Sequence, residues 1–221
     1  ERALPYALAA AQRARSQHSL EIAEEQYRIA ARGAPSDQAI RYQIAEGLGD
    51  VVMLRGRYDE AARHTEAARA LADENVAKAQ IEGKLGELAF KSGDTKTAME
   101  AIECALTRLG QRIPQWSIGF VLCLMREVLV QFLHTLLPAC FIARKKLDGA
   151  QEQLLVIRLC NRLTYAYWFK RGKIPCLWAH LRGMNLAERY PPSSELAHAY
   201  ANHAPVVSLL TLFSRGIRYS Q

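Results

Sequence analysis

Histidines are the residues of this 221-residue chain whose spacing first raises the question of metal binding or acid–base catalysis. His198 and His203 lie five positions apart in "AHAYANHA". That spacing turns a helix about 140 degrees beyond one full turn, so the two imidazoles would not share a face. His180 lies two positions after Trp178 in a helical pattern and is expected to be a packed or edge histidine. The histidines therefore predict neither a metal site nor a catalytic base.

The other candidates for chemistry also lack a supporting motif. No GxxxxGK[ST] loop, GxGxxG turn, HExxH or GxSxG sequence is present. Asp59 and Glu60 fall at a predicted helix start, where carboxylates suit the helix dipole. The aromatic run "LTYAYWFKRG" is typical of a helix-packing core, with a ligand pocket as the alternative. The sequence thus predicts a noncatalytic segment without a cofactor; no motif argues for the alternative, an enzyme with an unfamiliar site among these aromatics.

Charge and cysteine content narrow the possible partners and the compartment. Residues 1–112 carry 16 Lys and Arg against 17 Asp and Glu, whereas residues 113–221 carry 13 against 5. The basic residues are spread singly along helical patterns without a nucleic-acid motif, so acidic neighbours in the same chain or an anionic membrane are favoured over nucleic acid. Five scattered cysteines favour a reducing cytoplasm. Both chain ends read as the interior of helical patterns, so we expect an excerpt of a longer protein.

Small residues recur with a long period through the first half of the chain. With Ala11, Gly49 and Gly86 as reference positions, the period is 38 and then 37 residues. Positions 12, 16 and 19 beyond each reference hold a small, a larger and a small residue, in three sets: Ala23, Tyr27 and Ala30; Ala61, Thr65 and Ala68; Ala98, Ile102 and Ala105. Two antiparallel helices cross closely only where side chains are small. The pattern predicts repeated helix pairs, with Gly56 and Gly93 as hinges and Asp59 or Asp94 as candidate caps.

This pattern resembles the tetratricopeptide repeat, which implies an all-α fold, a solenoid of antiparallel helix pairs. Three such units would occupy residues 1–112, the first ending at Pro35. Residues 113–147 would be a long apolar helical insertion, and residues 148–221 a degenerate helix pair followed by the first helix of a further unit. In the degenerate pair, Tyr167 takes the reference position, with Leu163 before it and Ala179 after it. Ser193 or Ser194 is expected to cap the last helix.

The insertion is the most hydrophobic part of the chain. Ile118–Leu137 is long enough to span a bilayer, but Arg126 and Glu127 near its middle would each cost about 3 kcal/mol, which disfavours spanning. Glu127, Gln131 and His134 form one polar stripe at helical spacing. The favoured interpretation is a helix buried in the superhelix with this stripe as its wet edge. The alternative is a helix that docks on a membrane surface or a partner, which the following "ARKK" supports.

The chain also resembles the repeat region of large bacterial signalling proteins in which a STAND or AAA-type ATPase module precedes such repeats. The stretches that carry this resemblance are "AEGLGDVVMLRGRYDEAA", "GKLGELAFKSGDTKTAMEAIECALTRLGQRIP" and "LTYAYWFKRGKIPCLWAHLRGMNLAERYPPSSELAHAYANHAP". It implies a cytoplasmic scaffold in signal transduction, in a parent chain that often carries a nucleotide cyclase or Ser/Thr kinase domain.

In such arrays the first helix of each unit lines a concave face that binds a protein, a peptide or another domain of the same chain. The partner-binding candidates on that face are Gln43, Glu46, Asp50, Gln80, Glu87, Phe90, Asn161, Trp168 and Arg171. The alternative function is a membrane-surface adaptor that docks through residues 116–146 and the basic second half.

Overall fold

The computed structural model of the chain describes residues 3–33 and 36–209, and within them the fold is all-α, without a β-strand. Eleven helices follow one another in these residues: α1 (Leu4–Ser16), α2 (Leu20–Arg32), α3 (Gln38–Leu54), α4 (Tyr58–Leu71), α5 (Asn75–Lys91), α6 (Thr95–Arg108), α7 (Ser117–Leu136), α8 (Pro138–Phe141), α9 (Gln151–Lys170), α10 (Lys173–Ala187) and α11 (Ser194–Leu209). Pro35 and the residues after 209, which the sequence assigned to repeats, lie outside the described part.

The chain divides into two compact units, Glu1–Ala105 and Leu106–Gln221, called the first and second unit below. In the first unit, α1 packs against α2 and α3 against α4, and the pairs are joined by contacts between α2 and α3 and between α4 and α5. The nine residues that lie 12, 16 and 19 positions beyond the three reference residues, from Ala23 to Ala105, are all buried. Repeated small residues therefore lie where helices of this unit meet.

Two glycines mark close crossings within the helix pairs of the first unit. A Cβ atom at Gly49 in α3 would lie 2.7 Å from Oγ1 of Thr65 in α4. A Cβ at Gly86 in α5 would lie 2.8 Å from Cγ1 of Ile102 and 3.1 Å from the carbonyl oxygen of Ala98, both in α6. The distances of 2.7 and 2.8 Å are shorter than a carbon atom tolerates, so a larger residue at either position would force its neighbours to shift.

The hinges of the first unit form where the sequence predicted them. Gly56 and Gly93 have φ angles of 78° and 88°, left-handed conformations that favour glycine after a helix end. Asp94 caps α6, since its carboxylate accepts hydrogen bonds from the backbone N–H and the hydroxyl of Thr97 at 3.0 and 2.6 Å. The prediction that Asp59 is a cap is wrong, because α4 begins at Tyr58 and Asp59 already lies in its first turn.

An ion-pair cluster centred on Glu24 ties α2 to the hinge between α3 and α4. The Glu24 carboxylate accepts from Arg28 at 2.8 Å, from Arg55 at 2.7 Å and from Arg57. Burial raises the pKa of Glu24, but the hydrogen bonds from Arg57, Arg28 and Arg55 outweigh it and lower this pKa to about 2. Residues of two neighbouring helix pairs thus hold the turn at Gly56 in place.

The second unit is organised around α9 and α10, which pack against each other, with α7 and α11 both in contact with α10. Leu163, Tyr167 and Ala179, the positions read as a degenerate repeat, are completely buried between these helices. Tyr167 and Trp178 surround Phe120 of α7, with ring centroids 5.8 and 5.4 Å from that of Phe120 in edge-to-face orientation. Of the aromatic run "LTYAYWFKRG", only Tyr167 belongs to this core, whereas Tyr165, Trp168 and Phe169 are 44–65% exposed, so the prediction of a helix-packing role holds for one of its four aromatic side chains. The cap of α11 is Ser193, whose hydroxyl accepts from the N–H of Leu196 at 3.2 Å.

Candidate functional site

The polar stripe of α7 faces inward, so the prediction that it is the wet edge of a buried helix is wrong. Glu127 and His134 are each 2% exposed, and Gln131 between them is partly buried. The stripe is buried because α10 and its C-cap residue carry a matching row of polar side chains at intervals of three residues, namely Arg182, Asn185 and Glu188. Burying a polar group is costly unless it is hydrogen-bonded, and these two rows supply most of each other's partners, with Gln131 Oε1 and Asn185 Oδ1 left without one.

Glu127 is the first centre of this polar interface. Its carboxylate accepts hydrogen bonds from Asn185 Nδ2 at 2.9 Å, from Arg182 Nη1 at 3.2 Å and from Arg126 Nη1 at 2.6 Å. Asn185 Nδ2 also donates to the Glu127 carbonyl oxygen at 2.9 Å, and Arg182 reaches Gln111 Oε1 at 3.1 Å. The charge of Glu127 is thus compensated by two guanidinium groups at the rim of the interface.

Glu188, the C-cap residue that follows α10, is the second centre, three residues beyond Asn185. One carboxylate oxygen of Glu188 lies 2.6 Å from Nδ1 of His134. The other accepts from Gln131 at 3.4 Å and from the hydroxyl of Tyr200 in α11 at 3.2 Å. Glu188 is 2% exposed, so this cluster lies away from water. The His–Glu pair has the composition of an acid–base dyad, but it is sealed between helices and serves to hold α7, α10 and α11 together.

The consequence of this orientation is that the apolar side of α7 is open to solvent. Its large side chains are 39–75% exposed at helical spacing: Ile118, Val121, Leu122, Met125, Val128, Leu129, Phe132 and Leu136. Trp116 before the helix and Leu137 after it extend the same surface, 81% and 51% exposed. We call these ten residues the α7 face. Soluble monomers rarely leave a contiguous apolar surface of this extent uncovered.

By length and composition, α7 is also the one helix among the described residues that could cross a membrane. The window that meets this criterion has a mean hydropathy of 1.5, and only 17% of it is buried. A core helix of a folded domain would be mostly buried, so the low value separates α7 from that class. The favoured sequence interpretation, a helix inside the superhelix, does not describe α7 in the second unit.

The exposed charged positions of the second unit are predominantly basic. Between Leu106 and Leu209 the chain has 13 Lys and Arg against 5 Asp and Glu. Three of those carboxylates, at Glu127, Glu188 and Glu195, are buried and hydrogen-bonded internally. Asp148 and Glu152 are the exposed carboxylates of this range. Because only two carboxylates are exposed, Lys and Arg dominate the charge that this unit presents to solvent.

The partner-binding candidates of the first unit are linked across three helices. Asp50 of α3 accepts from Arg15 of α1 at 2.8 Å and lies 2.7 Å from Lys84 of α5. Glu46 lies 2.9 Å from the same Lys84 amino group and accepts from Gln80. The first helices of the pairs therefore share one face, and these polar side chains join its helices. The sequence analysis did not predict Lys84 and Arg15, the two cations that pair with Glu46 and Asp50.

The remaining candidates occupy different surroundings. Gln43 is exposed, Glu87 and Phe90 are partly buried, and Trp168 is 53% exposed. Asn161 is 4% exposed and its side-chain oxygen lies 3.0 Å from the Cβ position of Gly183 in α10, so it packs between α9 and α10. Arg171 stacks over the rings of Phe120 and Tyr167, 5.6 and 5.5 Å from their centroids. The second-unit candidates therefore do not form one surface with each other.

Two histidines that are distant in sequence, His180 and His203, form a buried pair. His180 Nε2 and His203 Nδ1 are 2.8 Å apart, with the rings stacked and both side chains buried. Burial lowers the pKa of His180 to about 4, so the ring is neutral near pH 7. Over residues 3–33 and 36–209, no three His, Cys, Asp or Glu side chains are grouped as a metal site would require. The pair reads as a buried structural hydrogen bond.

The two buried cysteines of the second unit have low nucleophilicity. Burial raises the pKa of Cys160 to about 12 and also raises that of Cys176. A thiol attacks electrophiles as the thiolate, so neither group is a nucleophile at neutral pH.

The orientation of α7 could have been predicted from the sequence by comparing the polar positions of two helices. Glu127, Gln131 and His134 repeat at helical spacing in one apolar helix, and Arg182, Asn185 and Glu188 do so in another. Two polar rows of opposite and complementary chemistry can pair with each other instead of facing water.

Comparison with protein-family models and with curated proteins found no match to this chain. The functional conclusion therefore depends on the chemistry and geometry of its own side chains.

Proposed function

We propose that this chain is a noncatalytic helical-repeat scaffold that docks on an anionic membrane surface through the α7 face. The observation that carries the proposal is the inverted orientation of α7. Its polar stripe is already paired with Asn185 and Glu188, so turning the apolar side of α7 inward would place apolar side chains against these two buried groups and leave them unpaired. The apolar side must therefore be covered by something outside the described unit.

Charge favours an anionic bilayer as the covering surface. The exposed groups of the second unit are dominated by Lys and Arg, including Arg144, Lys145 and Lys146 directly after α8. Each such residue near an anionic bilayer contributes about 1 kcal/mol of attraction. Trp116 at the start of α7 is the residue type that anchors a helix at the headgroup level. An exposed apolar helix face with a tryptophan at its start, in a unit whose exposed charges are mostly cations, is the pattern of a helix that lies on a membrane.

The same geometry argues for lying on the membrane and against spanning it. Arg126 and Glu127 sit at the middle of α7, and each would cost about 3 kcal/mol at the bilayer centre. One side of α7 is packed on α10, a helix that also contacts α9 and α11. A surface orientation lets the apolar side enter the headgroup boundary while the polar interface with α10 stays intact.

The scaffold part of the proposal is supported by the repeat pattern and by the buried small residues at its positions. Such repeats resemble the tetratricopeptide repeat, and their first helices α1, α3 and α5 share a face joined by Glu46, Asp50 and Lys84. A protein or peptide, or another domain of a larger cytoplasmic signalling ATPase, is the partner that this resemblance implies for that face. The membrane contact would then hold the scaffold at a surface while the first unit binds its partner.

Vesicle co-sedimentation tests the docking proposal. The chain should sediment with vesicles made of phosphatidylcholine and phosphatidylserine at moderate salt and much less with phosphatidylcholine alone. Replacing Met125 and Leu129 together by glutamine should weaken the partition at least about tenfold, because two apolar side chains no longer enter the bilayer. The matched control is Ile22→Gln, since Ile22 is 56% exposed in the first unit and outside the α7 face.

Two outcomes would refute the membrane proposal. The first is an absence of binding to anionic vesicles at moderate salt. The second is equal loss of binding in the Ile22 control and the α7 double variant. If vesicle binding is absent but the double variant abolishes a concentration-dependent dimer seen by analytical ultracentrifugation, the face covers a second copy of the chain instead.

A further inference from the structure

A cavity of about 610 Å³ opens where the first turns of α7 and α10 come together. Two cations, Arg171 and Lys173, line it together with the hydroxyl-bearing Ser117. Its apolar wall is formed by Phe120, Val121 and Ile174, and no carboxylate is among its lining residues. A space that is cationic at one side and apolar at the other fits an anion carried on an apolar stem.

Arg171 is held in place at this cavity by aromatic rings. Its guanidinium lies 5.6 Å from the centroid of Phe120 and 5.5 Å from that of Tyr167, and both rings are buried. Stacking fixes the plane of the guanidinium and reduces the rotamer entropy that ligand binding would otherwise cost. Arginine in a fixed plane is the side chain that recognises phosphate oxygens with two parallel N–H donors.

The backbone adds positive potential to the same place. α7 begins at Ser117 and α10 at Lys173, and their N-cap residues, Trp116 and Gly172, have no side-chain acceptor for the first-turn N–H groups. The first-turn N–H groups of a helix carry a partial positive charge and bind anions. Two helix starts therefore reinforce the charges of Arg171 and Lys173.

Resting on the docking function proposed above, we propose that this cavity binds the phosphate group of an anionic membrane lipid. Val121 supports the lipid over a free anion, because it lines the cavity and is also a member of the α7 face, where it is 39% exposed. An acyl chain leaving the cavity past Val121 runs directly onto that face. The headgroup phosphate binds at Arg171 and Lys173, and the apolar stem lies against Phe120 and Ile174.

Isothermal titration calorimetry with the soluble lipid dihexanoyl phosphatidic acid, kept below its micelle concentration, tests this site without a membrane surface. The full chain should bind this lipid at least about tenfold more tightly than inorganic phosphate, which has no apolar stem. Lys173→Gln should weaken lipid binding about tenfold by removing one charge-assisted hydrogen bond. The matched control is Lys170→Gln, an exposed lysine outside the cavity, which should leave binding unchanged.

The outcomes separate this inference from the docking proposal. Equal affinity for inorganic phosphate and the lipid, or equal weakening by the Lys170 and Lys173 substitutions, would overturn the lipid site. Vesicle binding by a chain that shows no heat with dihexanoyl phosphatidic acid would overturn the site and leave membrane docking in place. Binding of the soluble lipid by a chain that ignores anionic vesicles would refute docking and uphold the cavity assignment.

Discussion

Replacing Glu127 by alanine tests whether the polar stripe of α7 is core or surface. On a wet edge, this substitution would change the free energy of unfolding by at most about 0.5 kcal/mol, as surface substitutions usually do. In the structure Glu127 is 2% exposed and is bonded to Asn185, Arg182 and Arg126. The two orientations of α7 therefore predict clearly different stabilities for Glu127→Ala.

The expected loss follows from the bonds that disappear. A hydrogen bond to a buried charged group contributes about 1.5–3 kcal/mol, and the Asn185 and Arg182 bonds are of this kind. The Arg126 side chain is 60% exposed, so solvent screening leaves its ion pair at most about 1 kcal/mol. Allowing for partial rehydration of Arg182 at the rim, we expect Glu127→Ala to destabilise the second unit by about 3 kcal/mol.

Intrinsic tryptophan fluorescence during urea unfolding measures this loss in the right part of the chain. The three tryptophans, Trp116, Trp168 and Trp178, all belong to the second unit, so the signal reports its unfolding separately from the first. With a denaturant slope of about 1.5 kcal/mol per molar urea, a loss of about 3 kcal/mol lowers the midpoint by about 2 M.

Met125→Gln is the matched control on the opposite side of the helix. Met125 is 64% exposed, so its replacement by a polar side chain should leave the midpoint within about 0.3 M of that of the original chain. An ordinary amphipathic helix would show the reverse, with the apolar position sensitive and the charged one tolerant. A tolerant Glu127 together with a sensitive Met125 would refute the orientation of α7 on which both proposals depend.

Two further predictions address the first unit and the buried histidines. Gly86→Ala should destabilise the first unit by about 1–2 kcal/mol, because the new methyl would lie 2.8 Å from Ile102; circular dichroism should show no such loss for Gly33→Ala, where no atom lies within 4 Å of the added Cβ. Burial lowers the pKa of His180 to about 4 from an ordinary value of 6.5, so its neutral form is favoured in the folded state and its contribution is complete above pH 6.5. As the pH decreases from 6.5 towards 4, the free energy of unfolding should fall by up to about 3 kcal/mol, which fluorescence-detected urea unfolding measures as a lower midpoint. His180→Gln should reduce this pH dependence. If the variant keeps the pH dependence of the original chain, His180 titrates normally.

Several features of the fold could be predicted because they depend on neighbours in sequence. Helix pairs leave a periodic record of small residues, and the buried positions from Ala23 to Ala105 follow that record. Gly56, Gly93 and Asp94 act through local backbone conformation and capping, which need few distant contacts. Asp59 was misjudged because an N-cap differs from a first-turn residue by only one or two positions, within the usual uncertainty of helix boundaries.

The candidate site was less predictable because its chemistry joins residues far apart in the chain. Glu127 and Asn185 are separated by 58 positions, and His180 and His203 by 23. A helix considered alone has no reason to bury its charged side, so the stripe on α7 was assigned to water. Its burial becomes favourable only when Arg182, Asn185 and Glu188 are brought opposite to satisfy it.

Sequence by itself determined the helical class of this protein, the rhythm of its helix pairs, the basic character of its second half and the unusual hydrophobicity of residues 116–137. Those properties reside in residue types and in spacings of a few positions. Only the tertiary structure decided which side of α7 faces the protein, since that choice is a balance between burying eight apolar side chains and satisfying three polar ones. The polar rows pair across α7 and α10, and the apolar side is left outward, where a membrane can cover it.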